Sequence, residues 1–298
     1  MPNQTNPPTQ KTIANYIGSI AQQSFTNEQI AMVMGHTSLG IFLKTAPKWV
    51  VFLSYEDFRG PLTVNLGGNV SLLRELPTRG MLHISRDRIS GPGAGVSIEL
   101  EDALPWMPPP PPQPLNGGER RERLLTFLQQ AYTQAGGVGL STLLPSLGED
   151  SVYAGNHPQR DEFVNMQENL EGGNIFNLIQ TLGNLLGRGR GLTPSWDDFT
   201  MGLLLTLNRW EHIIQPQFGL GKLNAEITKA AYAKTTTISA NLIECATHGL
   251  ADERLIAAVD YILAGTHTLT QVLTYLLGWG SSSGLDALVG MAVVILSL

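Results

Sequence analysis

The run Met107-Pro-Pro-Pro-Pro-Pro-Gln-Pro114 constrains this chain more than any other stretch. Successive prolines fix φ and remove amide donors, so the run can enter neither a helix nor a central strand and must be extended polyproline II. Asn116-Gly-Gly118 follows as a flexible turn. Hydrophobic period changes across this break. Before it, short apolar runs at 39–44, 49–54, 62–66, 81–85 and 96–100 alternate with Gly, Pro and charged turns, the pattern of a small antiparallel sheet or barrel. After it the period is helical. Leu124, Leu125, Leu128, Ala131, Tyr132 and Ala135 form one stripe, and Ile175, Leu178, Ile179, Leu182, Leu185 and Leu186 another. Further helices are predicted near 197–212, 224–248, 252–264, 268–277 and 285–297. At the N-terminus, residues 1–10 read as a disordered tail, and Ile13, Ile17, Ile20 and Ala21 predict a helix within 11–34. The expected architecture is α+β. A mostly antiparallel β domain with an N-terminal helix spans 1–107, a Pro/Gly-rich linker spans 108–118, and an all-α domain spans 119–298.

Charge follows the same division. Residues 1–107 carry 8 Lys/Arg and 8 Asp/Glu, whereas 108–298 carry 11 and 17, so the net charge of -6 resides in the second part. No basic stripe exists to track a nucleic-acid backbone, and nucleic acid is not expected as a partner. A small anion remains compatible, because a few placed donors hold one against the overall field. The lone Cys245 cannot form an intrachain disulfide, and no Cys/His cluster has zinc-ligand spacing, which fits a reducing, cytoplasmic setting. The prolines and polar residues of the first 18 positions do not form a signal peptide. The most apolar stretch, 285–298, has 14 residues, short of the roughly 20 that span a bilayer.

The densest information lies in Leu186-Gly-Arg-Gly-Arg-Gly-Leu-Thr-Pro-Ser-Trp-Asp-Asp-Phe-Thr-Met-Gly202. Gly187, Gly189 and Gly191 free the backbone for left-handed turns, and Thr193, Pro194 and Ser195 open a helix. Ser195 with Asp198 reads as a variant capping box. The same grammar recurs in Gly278-Trp-Gly-Ser-Ser-Ser-Gly-Leu-Asp-Ala-Leu-Val-Gly290, so that Ser195 aligns with Ser283, Asp198 with Asp286 and Gly202 with Gly290. Two such units suggest pseudo-symmetric halves whose helix starts converge. Converging N-termini would form an anion cradle of unpaired amides. In it Gly187, Arg188, Gly189, Arg190, Gly191, Thr193, Ser195, Ser283 and Asp286 are the candidate binding residues, the arginines through charge-assisted bonds. Asp198, Asp197 and Ser195 are the candidate catalytic groups, in proton transfer or in orienting other side chains. The competing interpretation is structural: Ser-x-x-Asp at a helix start commonly does nothing but cap. Asp197-Asp198 is a poor metal pair, since adjacent helical residues diverge by about 100°, and no metal or cofactor is expected.

Other residues carry weaker signals. Thr235-Thr-Thr-Ile-Ser239 is placed on the long helix 224–248, with Thr235 and Ser239 on one face, either packing or turning hydroxyls toward the cradle. Cys245 and His248 read as a core thiol beside a surface imidazole, His36 as a ligand or a turn end, and His83 as a structural histidine. No G-x-S-x-G, H-E-x-x-H, P-loop or kinase motif occurs.

The string from Gly187 to Gly202 resembles the AllH-like family, whose hallmark is approximately G-x-G-P-G-L-T-P-S-x-D-D-x-x-x-G. Gly187, Gly189, Gly191, Leu192, Thr193, Pro194, Ser195, Asp197, Asp198 and Gly202 match it. Thr235-Thr-Thr-Ile-Ser239 and Gly278-Trp-Gly-Ser-Ser-Ser-Gly-Leu-Asp286 resemble its later elements, so the likeness runs from about residue 36 to 298 and is firmest after 170. Arg190 departs from the family's usual Pro, and the run of prolines 108–112 is peculiar to this chain. The resemblance implies a subunit of an oxamate-type carbamoyltransferase, which converts oxalurate and phosphate to oxamate and carbamoyl phosphate in allantoin and purine nitrogen catabolism. It implies AllF- and AllG-like partner subunits and a small anionic substrate: phosphate, carbamoyl phosphate or oxalurate. The rival from another class is a non-catalytic scaffold or ligand-sensing subunit of a related acyl- or carbamoyl-transfer complex.

Overall fold

A computed structural model describes residues 10–45, 48–67, 71–91, 95–147 and 160–298; all but the last residue of the expected N-terminal tail lies outside them. The chain divides into two compact units, Met1–Pro108 and Pro109–Leu298.

The first unit is a mixed β-barrel. Its strands are β1 (Gln10–Gly18), β2 (Gln29–Thr37), β3 (Gly40–Lys44), β4 (Val50–Ser54), β5 (Thr63–Gly67), β6 (Met81–Ile84), β7 (Arg88–Gly91), β8 (Val96–Glu99) and β9 (Leu104–Trp106), with short helices α1 (Ser19–Ser24) and α2 (Ser71–Arg74). The order β5-β4-β3-β2-β6-β7-β8-β1 closes through a β1–β5 pairing, leaving eight strands in the ring, and β9 continues along β1 beyond β8. The pairings of β1 with β8 and β9, and of β4 with β5, are parallel; the others are antiparallel. Closure removes unpaired strand edges. Alternation then fills the interior with Ala31, Val33, Ile41, Leu43, Val51, Leu53, Val64, Ile84, Ile89 and Ile98.

One expectation is corrected here. The segment predicted as a helix from Ile13, Ile17, Ile20 and Ala21 is strand β1, the short α1 and the start of β2. A bulge lies in β1 between Ala14 and Tyr16. It shifts the inward positions from Thr12 and Ala14 to Ile17, so that Ile13, which is exposed, and Ile17, which is buried, lie on opposite faces and form no single stripe.

The second unit is helical: α3 (Gly117–Ala135), a 3₁₀ segment (Gly139–Leu147), α4 (Arg160–Glu171), α5 (Ile175–Leu185), α6 (Ser195–Arg209), α7 (Glu211–Ile214), α8 (Leu220–Lys234), α9 (Thr237–Ala246), α10 (Glu253–Ala264), α11 (Leu269–Leu277) and α12 (Ser283–Leu296). Local chemistry sets several ends. Asn116 and Glu119 form a capping box that starts α3, and Thr268 and Gln271 form another at α11. Helices α6 and α12 are buried around nearly their whole circumference, the mark of central helices.

They cross backbone to backbone. A Cβ on Gly202 would lie 2.1 Å from the Ala287 carbonyl oxygen, and one on Gly290 would lie 2.0 Å from that of Phe199. Because Phe199 aligns with Ala287 as Gly202 does with Gly290, the two contacts are the same contact made twice about a local pseudo-two-fold. A second correction concerns 224–248. The long helix breaks at Thr235, which is extended, and Thr236 caps α9 by accepting from the Ser239 N–H.

Candidate functional site

The crossing of α6 and α12 brings their N-termini together. Thr193 Oγ1 and Ser283 Oγ, 90 residues apart in sequence, lie 3.1 Å apart and hydrogen bond. Backbone bonding in the two first turns is replicated. The N–H groups of Asp197 and Asp198 donate to the Pro194 carbonyl, and those of Leu285 and Asp286 to the Ser282 carbonyl. The Trp196 and Gly284 N–H groups are taken by the Arg188 and Trp279 carbonyls. The Ser195 and Ser283 amides are left without a partner among the described residues.

The expected Ser195–Asp198 capping box is not formed. Pro194 is the N-cap of α6, without a side-chain cap, and Ser195 is the first helical residue. Proline fits there because its φ is already helical, and it leaves both side chains free to reach across to α12. The Ser195 hydroxyl favours the ionised form of Asp286, and the hydroxyls of Ser283 and Thr193 favour that of Asp198. Each serine therefore serves the aspartate of the opposite helix.

The glycine loop is built around Asp197. Gly187 and Gly189 have φ of 78° and 126°, values that L side chains rarely adopt. A Cβ on Gly187 would meet the Lys234 carbonyl oxygen at 2.5 Å, and one on Gly189 would meet the Ser195 nitrogen at the same distance. The Gly187 N–H donates to Asp197 Oδ1 at 2.7 Å, and the Thr235 hydroxyl donates to Oδ2. Thr236 Oγ1 donates to the Leu192 carbonyl at 2.7 Å, so the α8–α9 break clamps the loop. Trp196 anchors the helix start by stacking on Phe163 and meeting Phe199 edge-on.

All three aspartates are buried, and burial raises each pKa. For Asp197 the Gly187 N–H, Thr235 and nearby Ser239 oppose the rise. For Asp286 the Leu140 N–H, Ser282 and Ser195 oppose it. Asp198 is pushed furthest: burial dominates, the negative charges of Asp286 and Asp197 add to it, and the Ser283 and Thr193 hydroxyls counter only in part. Asp198 thus retains a proton well above the ordinary carboxylate range. A protonated carboxyl donates a hydrogen bond, which suits it to an anion or to proton transfer.

The side chains of Arg188 and Arg190 are exposed beside Gly189 and Gly191 and make no hydrogen bond or ion pair among the described residues. Among those residues no three His, Cys, Asp or Glu side chains are arranged to share a metal ion. Cys245 is buried and His248 exposed, while His36 and His83 are exposed; His83 lines a polar groove of about 300 Å³ on the barrel with Glu28, Asp87 and Arg88. Sequence reasoning missed Leu140 and Ser282, which donate to Asp286 at 2.6 and 2.9 Å. Ser282 was legible as the second of three serines; Leu140 acts through its amide and carries no side-chain signal. No described helix is long and apolar enough to cross a membrane.

Residues 185–295, just over a third of the chain, match the model of the family described as "Oxamate carbamoyltransferase subunit AllH". The match takes in the glycine loop, both helix starts and the α8–α9 clamp. No curated protein and no solved structure matches the chain.

Proposed function

We propose that this chain is a subunit of an oxamate-type carbamoyltransferase and that the joined starts of α6 and α12 bind its small anionic substrate. The family match supports the first statement. The observation that carries the second is the Thr193–Ser283 bond of 3.1 Å, which unites two helix N-termini around free amides. Paired helix dipoles and unsatisfied N–H groups favour phosphate or carboxylate.

In the proposed reaction a phosphate oxygen attacks the carbamoyl carbon of oxalurate, the C–N bond breaks, and the electron pair passes to the oxamate nitrogen, which takes a proton. The amides of Gly189, Gly191 and Ser195 and the hydroxyls of Thr193, Ser195 and Ser283 are the donors that would hold an anion and the charge developing on the carbamoyl oxygen. Arg188 and Arg190 at the rim would attract the substrate. Asp197 holds the Gly187 end of the loop, Asp286 steadies α12 against the 3₁₀ segment, and Asp198 is the group able to move a proton. AllF- and AllG-like chains would complete the enzyme, within allantoin nitrogen catabolism and in the cytoplasm, where the buried thiol of Cys245, the lone cysteine of the chain, would be at home.

A scaffold role is favoured by a different observation: Asp197 and Asp286 are already committed to donors within the protein. Reconstitution separates the two. With partner chains present, oxalurate- and phosphate-dependent formation of carbamoyl phosphate should require this chain and fall at least tenfold in Ser283→Ala or Thr193→Val, given about 1.4 kcal/mol for each tenfold. Full activity without the chain leaves the scaffold reading; full activity in both variants removes the anion site.

A further inference from the structure

The three buried aspartates at the joined helix starts differ in one respect. Asp197 has both oxygens occupied, by the Gly187 N–H and the Thr235 hydroxyl. Asp286 has both occupied, by the Leu140 N–H and Ser282 Oγ. Asp198, only 2% exposed, holds in α6 the position that Asp286 holds in α12, yet its Oδ2 has no hydrogen-bond partner. Buried polar atoms are nearly always satisfied, and leaving one bare is costly. The same carboxyl group is acted on by the Thr193 and Ser283 hydroxyls, which belong to the two helix starts whose Ser195 and Ser283 amides are free.

We propose that the Asp198 carboxyl serves this site as a hydrogen-bond donor, presenting its O–H to an oxygen of the bound anion. The inference rests on the anion-site reading above and specifies its ligand class: an oxyanion that can be held by donors alone and need bring no proton of its own. An ionised Asp198 would repel such a ligand at close range in a medium less polar than water. A protonated one adds a donor to those of Ser195, Ser283 and Thr193. It also explains how helix starts that carry three buried carboxyl groups accept negative charge.

The charges that act on Asp198 are Asp286 from α12 and Asp197 from its own helix, and both favour retention of the proton. The 3₁₀ segment and α5 carry no titratable side chain. Helix α9 carries Glu244 and Cys245, α8 ends in Lys234, whose ammonium donates to the Gly183 carbonyl, and the loop carries Arg188 and Arg190. Anion binding is therefore linked to one proton. Affinity holds while Asp198 is protonated and falls as pH rises through its pKa, and the bound anion raises that pKa in turn.

Calorimetric titration of the full chain with sulfate and with inorganic phosphate tests the proposal, because sulfate has no proton to give to an accepting carboxylate at neutral pH. Sulfate is expected to bind, to compete with phosphate and to weaken as the solution is made alkaline. Asp198→Asn, which keeps a donor and cannot ionise, should stay within about threefold of the parent and lose the pH dependence, whereas Asp198→Ala should lose about tenfold or more; circular dichroism confirms that each variant is folded. Phosphate binding without sulfate binding would mean that Asp198 accepts rather than donates, and overturns the proposal while the site stands. So does sulfate affinity in Asp198→Ala equal to that of the parent. Binding of neither anion at any pH removes the site itself.

Discussion

Asp198 illustrates what a residue can and cannot disclose before its neighbours are known. The Asp197-Asp198 pair stands out in the sequence, and its location at a helix start follows from the Thr-Pro-Ser before it. Which of the carboxyl groups lacks a donor does not follow, because the partners come from afar: Leu140 is 146 residues from Asp286, and Thr235 is 38 from Asp197. The bare, protonated state of Asp198 has a thermodynamic signature. Its pKa is raised in the folded chain, so between the ordinary carboxylate pKa and that raised value the folded state holds a proton that the unfolded state has released. Stability then falls as pH rises through this window. Asp198→Asn should be more stable than the parent at neutral pH, by about 1 kcal/mol or more, with the gain shrinking toward the ordinary carboxylate range. Urea denaturation midpoints at neutral and mildly acidic pH measure this; an equal midpoint at neutral pH would argue that Asp198 is ionised without penalty. Arg188 and Arg190 belong to the opposite regime, exposed and unpaired. Replacing either by Ala should leave stability unchanged and weaken sulfate binding by about 0.2–1 kcal/mol at low ionic strength, an effect erased by added salt.

Among the elements, the pair α6 and α12 repays the closest scrutiny. The repeated Ser-x-x-Asp-x-x-x-Gly was visible in the sequence, and with it the suggestion of two matched helices. Its meaning is the mutual contact of Gly202 with Ala287 and Gly290 with Phe199, which sets how closely the two starts approach. Alanine normally improves a helix interior by up to about 1 kcal/mol over glycine. At Gly202 or Gly290 the added methyl would penetrate a backbone carbonyl, and the helices must separate. Gly202→Ala and Gly290→Ala should each lose about 1–3 kcal/mol and weaken anion binding together with stability. Gly221→Ala on α8, where a Cβ meets nothing within 4 Å, should be neutral or mildly stabilising. If all three variants denature alike, the crossing does not govern the site. Elsewhere, apolar periodicity was least dependable where geometry departs from the ideal. It ran unbroken through Thr235, where the helix stops, and it joined Ile13 and Ile17, which the bulge in β1 puts on opposite faces of a strand.

For the whole molecule, the change of period across the proline run foretold a β part and a helical part, and five of the strands were legible from their flanking turns. Closure into a barrel was not, because the β1–β5 pairing joins segments about fifty residues apart through backbone bonds that any side chains permit. The charge distribution, by contrast, was complete in the sequence and makes a prediction that only the whole chain can answer. A site for one small anion needs a few amides and hydroxyls in the right places. A surface for a polyanion must neutralise several phosphates at once, and its affinity grows with the number of Lys and Arg it presents. The helical part carries 17 Asp/Glu against 11 Lys/Arg, and one of those arginines, Arg209, is buried in bonds to Asp260 and the Pro109 carbonyl. Duplex DNA should therefore fail to shift on native gels with this protein even at low ionic strength, under conditions in which sulfate binds. A retarded complex that dissolves on adding salt would reveal a basic surface that the net charge conceals, and Arg188 and Arg190, the exposed cations beside the helix starts, would be the first residues to replace.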